Sequence, residues 1–245
     1  MCGDGEMSII PLEKVDSTNI YAKNNLETLE DKTVIHALRQ TSGRGRLNRS
    51  WVDLGEGNLF LTFVLKPSNK FSEKYSNLTQ YLSVVLCQLL EEYGINPQIK
   101  WPNDVLIDGK KIAGILSETV MQGDNFKGLV LGIGVNLNSN QTDLDQIPDK
   151  IATSLNIEIN KLVDMYEFRD KLIEKFYKNY EEFLEGGFAY IRNEYLSRAL
   201  FINTNISVKG YNDTYTGVVK DINRNGELIL EQNNKELVLT IGDIL

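Results

Sequence analysis

The chain has 245 residues, 42% of them hydrophobic and 24% charged, which is an ordinary globular composition with enough length for one large core and a small second domain. No apolar run approaches the roughly 20 residues that cross a bilayer, and the first residues show no secretory signal, so we expect a cytoplasmic protein that does not enter membranes. The formal net charge of −8 argues against a general electrostatic grip on nucleic acid, and we expect no nucleic-acid partner, although the charge leaves a local basic patch open.

The first part of the chain alternates predicted strands and helices. The run SIIPLEKV predicts a short strand. A helix through IYAKNNLETL should follow, and Ser17 or Thr18 is its expected N-cap, with a hydroxyl that accepts hydrogen bonds from the first helical amides. Two further strands, TVIHALRQ and NLFLTFVL, are separated by a polar, glycine-bearing loop. The run YSNLTQYLSVVLCQLLEEYG has helical spacing and a glycine stop at Gly94, with Cys87 as core packing.

The rest of the chain predicts more strands, a helix and a second β-rich part. Short strands in QIKW, DVLID, KIAGILSETV and GLVLGIGVNLN have a hairpin-like rhythm and would complete one mixed sheet. From Ile151 to about Arg198, apolar residues at spacings of three and four predict a helix that covers one sheet face. After Leu200, the pieces NISVKG, TYTGVVKDI, GELILEQ and KELVLTI predict a small β-barrel packed against the larger α+β part.

The most informative loop is GRGRLNRSW, from Gly43 to Trp51, in which three arginines and two glycines fall within nine residues. Such arginines can be solvated surface charges. Glycines, however, let backbone amides approach an anion, and guanidinium groups offer forks of donors to phosphate and carboxylate oxygens. The indole of Trp51 can lie on a purine or a bicyclic ligand. The loop lacks the Walker and dinucleotide-fingerprint spacings, so P-loop or Rossmann chemistry is not expected.

Three later segments carry further signals. In KWPNDV, Asn103 and Asp104 can form an ordinary turn, but Lys100 at a strand end is a compact positive charge able to reach between a carboxylate and a phosphate. The segments KKIAGIL and GIGVNLN place glycines inside strands, where they often mark the close approach of a ligand or another backbone. The single histidine, His36, reads as a packed strand residue rather than a base, and one histidine leaves no Ser/His/Asp or Cys/His catalytic set.

In this order and at these separations, the segments resemble the biotin protein ligase family over the whole chain. The resemblance implies a mixed-sheet catalytic domain at 1–199, related to class II aminoacyl-tRNA synthetases and lipoate ligases, and an SH3-like barrel at 200–245. It also implies the monofunctional type, because Ser17-Thr18-Asn19 begins too near the start for an N-terminal DNA-binding domain.

The resemblance assigns residue roles by position. The residues implied to bind biotin are Ser17, Thr18, Asn19, Gln40, Gly43, Arg44, Gly45, Arg46, Lys100, Gly114 and Leu116. Those implied on the ATP side are Arg46, Arg49, Trp51, Lys100, Asn103, Lys111 and Asn136. Lys100, Arg46 and Arg44 would stabilise the reacting carboxylate and phosphate.

The implied reaction joins biotin and ATP as biotinyl-5′-AMP, with Mg²⁺ carried by the triphosphate and no metal ligated by the protein. The biotinyl group then passes to a lysine in the biotin carboxyl carrier domain of a carboxylase. Two alternatives stay open: a lipoate or octanoate ligase of the same superfamily, which GRGRLNRSW with KWPND disfavours, and a biotin sensor without turnover. A homodimer is also left open.

Overall fold

A computed structural model describes residues 8–47, 49–68, 70–147 and 151–245. The expectation of no secretory signal rests partly on residues 1–7, which lie outside the described residues. The strands are β1 Ile9–Val15, β2 Val34–Gln40, β3 Leu59–Leu65, β4 Gln98–Lys100, β5 Asp104–Ile107, β6 Lys110–Gln122, β7 Asn125–Val135, β8 Asn205–Lys209, β9 Thr214–Ile222, β10 Leu228–Gln232, β11 Lys235–Leu239 and β12 Asp243–Ile244. The helices are α1 Thr18–Asn24, a 3₁₀ turn Glu73–Asn77, α2 Leu78–Glu91, α3 Gln141–Leu144, α4 Leu155–Ile159, α5 Met165–Lys178, α6 Tyr180–Gly186 and α7 Phe188–Leu196.

The residues divide into two compact units, of which the first comprises the described parts of Met1–Ser72 and Lys110–Asp170. Its strands follow the order β1-β2-β3-β7-β6, with β1 parallel to β2 and the other neighbours antiparallel. These five strands are part of the predicted mixed sheet, to which the sequence also assigned QIKW and DVLID, the segments of β4 and β5. Helix α1 packs on one face, where Ala22 and Leu26 join Ile35, Val64 and Val130 in a buried cluster. The same face continues along the strands to Thr62 and the glycines of β7, because alternate residues of a strand point to the same side.

Two expectations about α1 need correction. Ser17 is the N-cap residue, as predicted, but its hydroxyl makes no capping hydrogen bond to the described residues. The helix also ends at Asn24, whereas the sequence predicted it to continue through Leu29. The Nδ2 group of Asn25 donates to the carbonyl of Tyr21 at 2.8 Å, and a side chain that competes for helical carbonyls in this way favours a turn.

The second unit comprises Glu73–Gly109 and Lys171–Leu245. Helix α2 is apolar on nearly all sides and is buried along most of its length. Tyr81 on this helix stacks on Phe183 with ring centroids 4.5 Å apart, and its hydroxyl donates to the carbonyl of Phe176 at 2.5 Å. Cys87 is fully buried, as predicted, and burial raises the pKa of its thiol well above the usual range.

The C-terminal part of this unit is a five-stranded antiparallel sheet in the order β11-β10-β9-β8-β12. It confirms the predicted small β domain and adds β12, whose two residues are too few for a sequence signal. The prediction of one long helix after Ile151 is wrong in detail. The segment forms four helices, α4 to α7, and the breaks between them include Asn179 and Gly187. Gly187 has a φ of +60°, a value that glycine adopts readily and that interrupts a right-handed helix.

Across the described ranges, no helix has the length and apolar character needed to cross a bilayer. The predicted boundary between residues 199 and 200 concerns functional domains, and the division into compact units does not test it. It stays a prediction.

Candidate functional site

Four buried side chains form a hydrogen-bonded group in the first unit, which we call the amide–hydroxyl cluster: Thr18, Asn19, Gln40 and Thr62. Each of them is at most 8% exposed. The Oε1 atom of Gln40 accepts from the backbone N–H of Thr18 at 2.8 Å and from the Thr18 hydroxyl at 3.1 Å. The Thr62 hydroxyl lies 2.8 Å from the Thr18 Oγ1 atom and 2.7 Å from the Asn19 Oδ1 atom. Three of the predicted biotin contacts therefore meet in one place.

The partners fix the orientation of both amide groups in this cluster. A backbone N–H can only donate, so the atom of Gln40 that meets the Thr18 amide is its oxygen, and its Nε2 group is left to donate elsewhere. The Nδ2 group of Asn19 meets two acceptors, the Leu116 carbonyl at 3.2 Å and the Glu118 carboxylate at 3.1 Å. Asn19 can therefore offer only its oxygen to a ligand.

The amide–hydroxyl cluster has fewer protons than acceptors. The hydroxyl of Thr62 has one proton, yet it lies within hydrogen-bond distance of oxygens on both Thr18 and Asn19. The Thr18 hydroxyl has one further proton, which can serve Gln40 at 3.1 Å or Thr62 at 2.8 Å. Two hydroxyl protons thus face three oxygen–oxygen contacts, so the cluster keeps one acceptor position that an N–H group of a ligand can use.

An ion pair supports Asn19 from the side away from Thr62. The Glu118 carboxylate accepts from Asn19 through one oxygen and from the ammonium of Lys23 through the other, at 2.8 Å. The two donors bind different oxygens of one carboxylate, so the ion pair with Lys23 holds the group that orients the Asn19 amide.

Glycines on β6 and β7 provide the floor of the candidate site. A Cβ atom added at Gly132 would lie 2.9 Å from the Asn19 Cγ atom, and one at Gly134 would lie 2.7 Å from the Trp51 Nε1 atom. At Gly114, which pairs with Gly134 across the two strands, the added atom would lie 2.9 Å from the Trp51 ring. The sequence predicted the close approach of a ligand or another backbone at these glycines, whereas the groups that approach them in the structure are the side chains of Asn19 and Trp51.

The arginine loop runs from Gly43 to Trp51 and is held by its own backbone on either side of Asn48, which the structure does not describe. The Trp51 amide donates to the Gly43 carbonyl at 2.9 Å, and the Gly45 amide donates to the Arg49 carbonyl at 2.8 Å. Arg44 and Ser50 form an antiparallel bridge. Arg44 and Arg49 are exposed and Arg46 is half-buried, so the loop presents three cationic side chains close together in the chain.

Gly43 links this loop to the cluster. A Cβ atom there would lie 2.5 Å from the Trp51 carbonyl oxygen and 3.1 Å from the Gln40 Nε2 atom. The glycine thus lets the loop pass close to the amide of Gln40 that is left to donate. Asp53, beyond the loop, accepts from the Arg39 Nε group at 2.7 Å and from the backbone N–H of Gln40 at 3.2 Å, which ties the far end of the loop to β2.

Lys111 and Asn136 have different surroundings. The Lys111 ammonium lies 5.6 Å from the centroid of the Trp51 ring, a cation–π contact on the glycine floor. The Nδ2 group of Asn136 donates to the Thr153 carbonyl at 3.1 Å, and this residue is 4% exposed. Lys111 is therefore placed with the loop tryptophan, whereas the Asn136 amide is used in part to hold residues 151–155.

Lys100 and Asn103 belong to the second unit. Lys100 is the last residue of β4 and its Cα atom is paired with that of Asp104 on β5. The intervening turn contains a cis peptide bond between Trp101 and Pro102. Asn103 is 8% exposed, and Lys100 is half-buried between the buried residues Ile99 and Trp101.

Sequence reasoning missed Thr62, Glu118 and Lys23. Thr62 gave one signal, a lone polar residue in the apolar run LFLTFVL, and it is fully buried. Glu118 and Lys23 are 95 residues apart in the chain, and their ion pair depends on the contact between β6 and α1 in the folded protein. His36, as predicted, is a packed strand residue, 1% exposed and edge-on to Tyr166 with ring centroids 5.9 Å apart.

One cavity of the first unit lies beside the end of α1 and has a volume of about 350 Å³. Its lining includes Lys23, Met121 and Lys127 but none of the predicted site residues, so we do not assign it to the candidate site. Among the described residues, no group of three or more His, Cys, Asp or Glu side chains is arranged to hold a metal ion.

Comparison with known proteins gives consistent matches. The sequence profile described as the biotin/lipoate A/B protein ligase family matches residues 12–136. Over 203 residues the chain is 36% identical to a Bacillus subtilis (strain 168) protein named bifunctional ligase/repressor BirA, a match that covers 82% of this chain and 62% of that relative. The chain thus spans less than two thirds of the length of the Bacillus relative.

Two further matches extend over most of both proteins. The chain is 32% identical over 227 residues to the biotin acetyl-CoA-carboxylase ligase of Paracoccus denitrificans, covering 89% of this chain and 92% of that protein. The structure is similar to that of a biotin protein ligase from Aquifex aeolicus in complex with biotin and ATP. That similarity has a TM-score of 0.79 and 28% identity over 97% of each chain.

Proposed function

Because the chain belongs to the biotin/lipoate A/B protein ligase family, and within it to the biotin protein ligases, we propose that it activates biotin with ATP and transfers the biotinyl group to a protein lysine. In the first step a carboxylate oxygen of biotin bonds to the α-phosphorus of ATP and pyrophosphate leaves. In the second step the lysine amine of a biotin carboxyl carrier domain attacks the acyl carbon, loses a proton and releases AMP.

The observation that carries this proposal is the proton deficit of the amide–hydroxyl cluster beside the Nε2 group of Gln40. The ring of biotin contains a cyclic urea, which places N–H donors next to a carbonyl acceptor. The spare acceptor position of the cluster suits a urea N–H, and the Nε2 group of Gln40 suits the urea oxygen. Ser17, buried next to Thr18, adds a hydroxyl at the same end of α1.

The residues proposed for adenylation are cationic, and this choice follows from the charges of the reactants. A carboxylate and a phosphate repel each other, and the transition state places further negative charge on the phosphate oxygens, so preorganised cations lower the barrier. We assign this role to Arg44, Arg46 and Lys100, and the nucleotide contacts to Arg49, Trp51, Asn103, Lys111 and Asn136. Gly43, Gly45, Gly114 and Leu116 would contact biotin through their backbone atoms.

We propose that Mg²⁺ arrives as part of the ATP substrate. With no cluster of metal-ligating side chains among the described residues, the triphosphate oxygens are its expected ligands. The ion would neutralise the leaving pyrophosphate. The proposed location is the cytoplasm, and the net charge of −8 disfavours a nucleic-acid partner for these 245 residues.

The test is incubation with biotin, MgATP and a biotin carboxyl carrier domain, followed by mass spectrometry of the carrier and measurement of released pyrophosphate. We expect one biotinyl addition per carrier and none on a matched carrier whose acceptor lysine is replaced by arginine. Addition of lipoate instead of biotin would favour the lipoate ligase alternative. Biotin binding without pyrophosphate release would favour a sensor.

A further inference from the structure

The residue next to Lys100 is anchored by the C-terminal sheet. The Nε1 group of Trp101, which is 2% exposed, donates to the carbonyl of Gly226 at 3.1 Å. The same carbonyl accepts from the Nε2 group of Gln80 at 2.9 Å. Asn77 donates to the Asn225 carbonyl at 2.8 Å and to the Gln80 Oε1 atom at 2.7 Å. We call Asn77, Gln80, Trp101 and Gly226 the turn cluster, and all four residues lie in the second unit.

The turn between β9 and β10 is held by hydrogen bonds of its own and by close contact with α2. The Asn223 side-chain oxygen accepts from the amides of Asn225 and Glu227 at 2.9 and 3.1 Å. Gly226 has a φ of +79°, and a Cβ atom there would lie 2.5 Å from the Gln80 Oε1 atom. The turn therefore fits closely against α2, and its position fixes the carbonyl that holds Trp101.

Both neighbours of Lys100 are held by buried hydrogen bonds. On one side the amide of Ile99 donates to the Arg198 carbonyl at 2.9 Å. On the other side Trp101 is held by Gly226. Strand β4 has only three residues, so these two anchors, with the pairing to β5, determine where the backbone of Lys100 lies.

We propose that Trp101 is a positioning residue for adenylation, through which the β9–β10 turn of the C-terminal sheet sets the place of the Lys100 ammonium. The inference rests on the proposed function, since it requires Lys100 to act on the reacting phosphate and carboxylate. A displacement of about 1 Å in a catalytic group can cost on the order of 10²-fold in rate, so an anchor distant from the ligand can control the chemical step. The C-terminal sheet then contributes to the first step as well as to any role in transfer.

The test compares Trp101→Phe with wild type and then repeats the change in a Lys100→Met background. Trp101→Phe keeps an aromatic ring and removes the N–H donor. We expect the single-turnover rate of pyrophosphate release at saturating biotin and ATP to fall on the order of 10-fold, with little change in biotin affinity. In the Lys100→Met background the same change should alter the rate by less than about 2-fold, because two residues that act through one group are not additive.

Two further variants separate positioning from general damage. Arg192→Gln breaks a different attachment of the same sheet, the contacts of Arg192 with Asp221 and the Ile222 carbonyl, without touching Trp101. It should lower stability and leave the adenylation rate unchanged. Gln80→Met removes the second donor to the Gly226 carbonyl and should slow adenylation less than Trp101→Phe. If Trp101→Phe fails to fold, the rate of Gln80→Met is measured in its place.

The outcomes are distinguishable. If wild type releases no pyrophosphate with biotin and ATP, the proposed function fails and the positioning role fails with it. If wild type is active and folded Trp101→Phe matches its rate, the function stands and the positioning role is overturned. An equal slowing in the wild-type and Lys100→Met backgrounds also overturns it, because Trp101 would then act independently of Lys100.

Discussion

The two buried polar clusters differ in where their hydrogen bonds end. In the turn cluster, side-chain N–H groups of Asn77, Gln80 and Trp101 donate to backbone carbonyls of the β9–β10 turn. In the amide–hydroxyl cluster, side chains mostly pair with one another, and one Thr62 proton faces two acceptors. A cluster that closes on backbone carbonyls fixes a structure, whereas the cluster short of one donor is where we expect a ligand to bind.

We expect the largest effect from replacing Lys100, the residue next to Trp101 of the turn cluster, which tests whether Lys100 takes part in adenylation. Lys100→Met keeps most of the stem and removes the charge, and the loss of one preorganised charged donor should slow adenylate formation by about 10²–10³-fold. Biotin affinity should fall much less, because the amide–hydroxyl cluster is intact. Rapid-quench measurement of pyrophosphate, together with calorimetric titration of biotin, reports the two quantities separately.

A matched control is Lys110→Met, which removes a lysine whose ammonium pairs with Glu158 at 2.6 Å outside the proposed machinery. Its adenylation rate should equal that of wild type. Lys100→Arg should rescue poorly, since a planar fork does not occupy the place of a compact ammonium. A well-folded Lys100→Met protein with a normal pyrophosphate burst would remove Lys100 from the mechanism.

A second prediction concerns His36, a buried polar residue outside both clusters, whose Nε2 atom has no hydrogen-bond partner among the described residues. Burial, and to a lesser extent the nearby charge of Arg169, lowers the pKa of His36 from 6.5 to about 4, and Asp170 opposes this shift. The unfolded chain therefore binds a proton more tightly than the folded protein between these values. Stability should fall as the pH falls through this window, by about 2 kcal/mol between pH 7 and pH 5.

Urea unfolding at the two pH values measures this loss. His36 is the single histidine, so a His36→Phe variant removes the only imidazole that titrates in the window. The difference between pH 7 and pH 5 should shrink by about 2 kcal/mol in that variant. An unchanged difference would show that His36 keeps its ordinary pKa in the folded protein.

The clusters also show what the sequence could predict. The apolar runs of the sequence predicted the strands of the first unit. The family motifs, each a short continuous segment, pointed to Thr18, Asn19 and Gln40 as site residues. Thr62 and Glu118 belong to no such motif, and their roles depend on the register between β3, β7 and β6. The turn cluster was also missed, because it joins residues near position 80 to residues near position 226, and no local pattern encodes a contact of that separation.

A third prediction tests the donor shortage directly. Thr62→Val keeps the branched shape and removes the one proton that serves Thr18 and Asn19, so it should lower the free energy of unfolding by about 1–2 kcal/mol. Thr62→Ser restores the hydroxyl and should recover most of the loss. Thr33→Val is the matched control, since Thr33 is also buried but, within the described ranges, its hydroxyl meets only that of Ser8, at 3.3 Å. Equal stability of Thr62→Val and wild type would mean that the cluster does not depend on this donor.

The smallest expected effect lies in the arginine loop, which differs from both clusters in being held mainly by its own backbone. Few apolar anchors fix it, and Arg44, Arg46 and Arg49 place like charges close together in the chain, which an anion would offset. Biotinyl-AMP supplies a phosphate, and we therefore expect the amides of 41–47 and 49–56 to exchange more slowly with the adenylate bound, by about 10-fold. The adjacent strands β2 and β3 serve as the internal reference, because their amides are buried in the sheet and should change little. Hydrogen-exchange mass spectrometry with and without the adenylate makes this comparison within one experiment. Equal protection of the loop in both states would mean that it is ordered before the ligand arrives, and closure over the adenylate would then have no part in the reaction.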